Sequence, residues 1–140
     1  MNKMKVIGLM PLYAAILLLV SACATSGGQS LTIDTRHVPA VEYLPDEVTA
    51  MLEDLGYTPI PDTSAERLAQ SFDIYTMQFR AKDDHDVRID VHMRLVDKIT
   101  AIQLYKLNEK KPGIDTLQRY QVLKQRVESE FGVDNVKHGG

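Results

Sequence analysis

Val87-Arg88-Ile89-Asp90-Val91-His92-Met93-Arg94-Leu95 alternates apolar and polar side chains without a break. Successive side chains of a strand point to opposite faces, so this period of two predicts a β-strand with one dry and one wet side. Strands of parallel sheets are buried on both sides and read as continuous apolar runs, so the alternation places this strand in an antiparallel sheet. The same pattern lies on either side. Tyr75, Met77, Phe79 and Ala81 alternate with Thr76, Gln78 and Arg80, and Ile102 and Leu104 oppose Ala101, Gln103 and Tyr105 within Ile99–Leu107. Lys82–Asp86 is a polar loop and Asp97-Lys98 is short enough for a tight hairpin, so the three runs are expected to form a meander.

Helical patterns flank the meander. Pro45-Asp46-Glu47 opens the first: proline suits an initial helical position, and the acids favour the positive end of the dipole. Val48, Met51, Leu52 and Leu55 recur at helical spacing, and Gly56 follows as a residue able to take the left-handed conformation. Tyr57–Pro61 reads as an extended connection, and Thr63-Ser64-Ala65-Glu66 fits a capping box for a short helix, with an early start to the next strand as its competitor. Asp115, with Gln118 three residues on, is expected to cap a C-terminal helix whose buried side carries Leu117, Tyr120, Leu123, Val127 and Phe131, ended by Gly132. Val133–Gly140 reads as a short extension with a frayed end.

Helix, short helix, three strands and helix imply an α+β fold: a small two-layer domain over residues 41–140, a three-stranded antiparallel meander packed by helices, including the C-terminal one. Residues 23–40 read as the chain's lipidated N-terminus and a flexible tether. Its Ala24–Ser30 portion is small and polar, and Leu31 and Ile33 could form an edge strand. The architecture is similar to that of outer-membrane assembly lipoproteins at the level of fold alone, since this chain has an extra C-terminal helix and lacks a glycine-rich helix-opening motif.

Upstream, Lys3 and Lys5 precede an apolar run from Val6 to Val20. About 20 residues are needed to cross a bilayer core, so this shorter run reads as a signal peptide over 1–22. Val20-Ser21-Ala22-Cys23 resembles the lipobox of bacterial lipoproteins: an aliphatic residue, two small ones and a cysteine. The resemblance implies diacylglyceryl transfer to the Cys23 thiol, cleavage between Ala22 and Cys23, and acylation of the new terminus. The alternative is an uncleaved anchor with an incidental cysteine. Each buried methylene contributes ~0.8 kcal/mol, so two or three acyl chains hold a protein to a membrane where one does not. Ala24, rather than aspartate, follows the cysteine. In a Gram-negative host the resemblance then implies the outer membrane, with the domain facing the periplasm.

Cleavage would leave 118 of the 140 residues, enough for one small domain. Two of the 16 basic side chains lie in the leader and none of the 19 acidic ones, so the mature chain holds 14 against 19, a balance of −5. That balance argues against nucleic acid and against polybasic contact with anionic lipid. Cys23 is the one cysteine, which excludes an internal disulfide, a cysteine metal site and, once acylated, a thiol nucleophile.

The wet side of the central strand offers Arg88, Asp90, His92 and Arg94. Asp90 and His92 could orient one another as an acid–base pair, or the arginines could receive an anion; against both stands a solvated face whose charges pair across strands. Asp83-Asp84-His85-Asp86 has acids enough to invite a hard cation, but their consecutive spacing and the lack of a glycine favour a solvated hairpin tip. No metal or cofactor is assigned beyond the lipid on Cys23, and His37 and His138 are assigned no role. Phosphate loops, nucleophile elbows and zinc-protease motifs are missing. The expected function is a membrane-anchored envelope lipoprotein whose small non-catalytic domain binds a protein or cell-wall component. The alternatives are a small-molecule or anion-binding inhibitor domain using the polar face and, behind it, a hydrolase using Asp90 and His92.

Overall fold

The computed structural model describes residues 29–61 and 74–139. The signal peptide, Cys23, the tether up to Gly28 and the capping box at Thr63 lie outside the described residues. The described residues hold six strands: β1 Gln29–Asp34, β2 Tyr57–Ile60, β3 Ile74–Ala81, β4 Val87–Arg94, β5 Ile99–Lys106 and β6 Val136–Gly139. They form one sheet in the order β2-β3-β4-β5-β1-β6, antiparallel at every pairing. Helices α1 Leu44–Asp54 and α2 Ile114–Phe131 complete the fold. None of the described helices is long and apolar enough to cross a membrane.

The expected three-stranded sheet is therefore wrong, although the fold is α+β. The meander β3-β4-β5 forms its middle, and three further strands extend it on both sides. Pro59 hid β2, read as a connection. Proline cannot donate to a ladder, yet it is tolerated where its nitrogen faces outward, and β2 is an edge strand with Pro59 opposite Phe79. Leu31 and Ile33 do lie on a strand, but β1 sits inside the sheet between β5 and β6, with Gln29 and Ser30 already in its ladder. The tail, read as a short extension with a frayed end, contributes β6. The fold-level likeness to the meander-and-helix assembly lipoproteins falls with the strand count.

One side of the sheet is dry. Leu31, Ile33, Phe79, Ala81, Val87, Ile89, Val91, Met93, Ile102 and Leu104 share it, all at most 1% exposed. Val48, Met51 and Leu52 of α1 and Tyr120, Leu123 and Val127 of α2 are buried in the same core. Helix α1 carries the chain over the sheet from β1 to β2. Helix α2 carries it from β5 past β1 to β6, so β5 and β6 run parallel with β1 between them, a split βαβ arrangement.

Local chemistry meets expectation at one turn and departs from it at two. Gly56 takes φ +96° and closes α1, as its position predicts. The β4–β5 hairpin is longer than a two-residue turn: Arg94 pairs with Ile99, so Leu95–Lys98 all lie in the loop, and Lys98 adopts φ +59°. Asp115 does not cap α2. The cap residue is Gly113, and Glu109 Oε1 accepts from the Gly113 amide at 3.0 Å and the Thr116 hydroxyl at 2.8 Å.

Candidate functional site

Arg88, Asp90, His92 and Arg94 project together on the side of β4 opposite the core, as the alternation requires. Antiparallel register sets their neighbours. Arg88 lies between Arg80 and Tyr105, Asp90 between Gln78 and Gln103, His92 between Thr76 and Ala101, and Arg94 between Ile74 and Ile99. Ser30, Thr32 and Asp34 of β1 continue the same face, which no described helix covers.

Asp90 organises the centre. Its Oδ1 accepts from Gln78 Nε2 at 3.0 Å and from the Tyr105 hydroxyl at 3.1 Å. Burial, then the Asp90 charge, push the Tyr105 phenol above its ordinary value. Asp90 is thus committed across the sheet rather than along β4. Among the described residues the His92 side chain has no hydrogen-bond partner, so an Asp90–His92 acid–base pair is not assembled.

The arginines divide. Arg94 Nη1 lies 3.5 Å from Asp97 Oδ2 across the hairpin, an exposed pair. Arg88 donates through Nε to the His85 carbonyl at 3.0 Å and makes no ion pair among the described residues. Arg80, directly opposite, makes none either. The other described arginines, Arg36, Arg119 and Arg126, all meet carboxylates. Two guanidinium groups facing each other across a ladder repel. Sequence reading identified Arg88 but passed over Arg80, because its own alternation put it on the wet face while only register puts it beside Arg88.

The acidic loop is an exposed tip, and two of its acids are engaged by cations. Asp83 takes both Nη atoms of Arg119, at 3.0 and 2.9 Å, and Asp115 takes Nε at 2.9 Å. Asp84 meets Lys106 Nζ at 3.1 Å and accepts from the Asp86 amide at 3.0 Å. These bonds hold both Asp83 and Asp84 below the usual carboxylate range. Acids already occupied by cations make a poor cation site, and no metal-binding group occurs among the described residues. His37 borders a shallow cleft with Glu47 and Glu130. His138 Nδ1 lies 3.3 Å from the Tyr120 hydroxyl, which donates to the Ser30 carbonyl at 3.1 Å and so ties β6 and α2 to β1. A wider cleft of about 550 Å³ opens at the far end of β1, where Asp34, Asp97 and Asp134 alternate with Arg36, Lys98 and Lys137.

Comparison of the chain with family models, curated proteins and solved structures finds no match.

Proposed function

We propose that the chain is a bacterial envelope lipoprotein, acylated at Cys23, whose α+β domain serves as a non-catalytic interaction module for a protein or cell-wall component. The observation that carries this is Val20-Ser21-Ala22-Cys23 at the end of a short apolar run behind Lys3 and Lys5. Ala24 after the cysteine favours the outer membrane, with the domain in the periplasm, in a Gram-negative host. A second reading, an anion-binding face, is favoured by Arg80 and Arg88 standing opposed with no carboxylate partner among the described residues. A hydrolase using Asp90 and His92 has no such support, since Asp90 is bonded to Gln78 and Tyr105.

The Cys23→Ser variant tests the anchor. It should accumulate as an unprocessed precursor that incorporates no labelled palmitate. Normal maturation and fractionation of that variant would refute the lipoprotein assignment. Cross-linking in cells, followed by identification of co-purified envelope components, tests the interaction role. Capture that survives Arg80→Gln with Arg88→Gln assigns the partner to another surface; its loss assigns it to the anion-binding face.

A further inference from the structure

The strand that leaves the tether enters the sheet beside Arg80 and Arg88, which make no ion pair among the described residues. Gln29 lies opposite Leu104, Leu104 opposite Ile89 and Ile89 opposite Phe79, so the chain joins the sheet one rung from the row Tyr105–Arg88–Arg80. Strands stand ~4.8 Å apart, which puts Arg88 roughly 10 Å across the sheet from β1. Residues 24–28 separate Cys23 from Gln29, and even fully extended they span only about 20 Å. Whatever holds Cys23 is therefore near this end of the domain.

Charge is sorted along the same axis. At the tether end Arg80, Lys82, Arg88, Lys110 and Lys111 meet no carboxylate among the described residues. Asp83, Asp84 and Asp115 there are consumed by Arg119 and Lys106, and Glu109 by the start of α2, leaving Glu53 and Asp86 over and Asp90 one rung inward. At the opposite end, among the described residues, the uncompensated acids Glu42, Asp46, Glu47 and Asp134 outnumber the uncompensated lysines Lys98 and Lys137. The net balance of −5 hides this polarity, and so it does not argue against a local basic contact. Guanidinium forks match the oxygens of a phosphate in a way a lone ammonium does not.

We propose that this end of the domain, led by Arg80 and Arg88, docks on the phosphate headgroups of the bilayer that carries the Cys23 anchor, with phosphate oxygens seated between the two guanidinium groups. The proposal rests on the lipoprotein assignment for its geometry. Docking holds the domain upright: the tether brings the basic end to the surface, the acidic end is repelled from it, and the rest of the polar face stays open to a partner.

The test uses protein purified from its own membranes and placed in nanodiscs of phosphatidylcholine alone or enriched in phosphatidylglycerol. Arginines are modified with phenylglyoxal and the sites read by mass spectrometry. Arg80 and Arg88 should react roughly fivefold more slowly in the anionic discs, the factor expected for a basic group at a charged surface, while Arg36 and Arg94 at the far end keep their rates. Equal rates in both discs, or equal slowing at both ends, overturn the proposal. Protection by inorganic phosphate in neutral discs, without protection by anionic lipid, overturns it in favour of a free oxyanion. With Arg80→Gln and Arg88→Gln together, the lipid-dependent protection of Lys82 towards a lysine reagent should vanish; its persistence overturns the role of the pair. The N-terminal peptide of the same samples separates the two claims. Acylated Cys23 without protection removes the docking alone, and protection without acylation removes the anchor alone.

Discussion

Arg80 and Arg88 occupy opposed positions where a sheet selected for stability alone would place a neutral or oppositely charged pair. Cross-strand pairs contribute roughly 0.2–1 kcal/mol, and directly opposed like charges have the opposite sign. Arg80→Thr should accordingly stabilise the domain by a few tenths of a kcal/mol in urea unfolding, helped by the strand preference of threonine. Destabilisation would show that Arg80 has a structural partner after all. How little of the site was legible in sequence is clear at this same pair. Alternation along β3 and β4 assigned each side chain to the wet face, but pairing register is a property of two strands and appears in neither. Asp90 makes the same point: two residues from His92 along the chain, it is bonded instead to Tyr105 and Gln78 of neighbouring strands.

Among the elements, those whose signal is local were readable. The three alternating runs became β3, β4 and β5, and the apolar stripes of both helices face the core, with Leu55, Leu117 and Phe131 half-buried at their ends. Gly56 was readable too, because a helix that must stop and turn into a strand needs a residue tolerant of positive φ. Gly56→Ala isolates that need. No atom lies within 4 Å of the Cβ it would add, so only backbone strain changes. The variant should lose about 1–2 kcal/mol in chemical unfolding, the cost of a left-handed conformation for a residue with a Cβ. An unchanged midpoint would mean that the α1–β2 turn relaxes to negative φ. The missed elements, β2 and β6, are four-residue edge strands with weak alternation, one of them containing proline. Short, proline-bearing edges discourage pairing between molecules, and the same features remove the sequence signal. Strand β1 was placed at an edge because its partner β5 follows it by about seventy residues, a distance that no local pattern spans.

For the molecule as a whole, ion pairs make stability depend on pH with a definite sign. Arg36 beside Asp34 holds that carboxyl down at about 2, and Asp83 and Asp84 are lowered by Arg119 and by the Asp86 amide with Lys106. Groups depressed in the folded state stabilise it above their unfolded pKa of ~3.9 and lose that contribution as pH falls through the folded value. Burial raises the Tyr57 phenol, with the opposite consequence: its contribution is complete below ~10 and is lost as pH rises beyond that. The melting temperature should be flat near neutrality, fall between about pH 4 and 2, and fall again above ~10. A melting temperature that holds constant down to pH ~2 would contradict the role of these pairs.

The proposed docking of the basic end rests on the proposed acylation of Cys23. The most direct measurement is the intact mass of the protein extracted from its own membranes. Cleavage before Cys23, with a diacylglyceryl group on the thiol and an acyl chain on the amine, is the predicted result. A chain that keeps residues 1–22, or that begins near Cys23 with a free thiol, would contradict the anchored account.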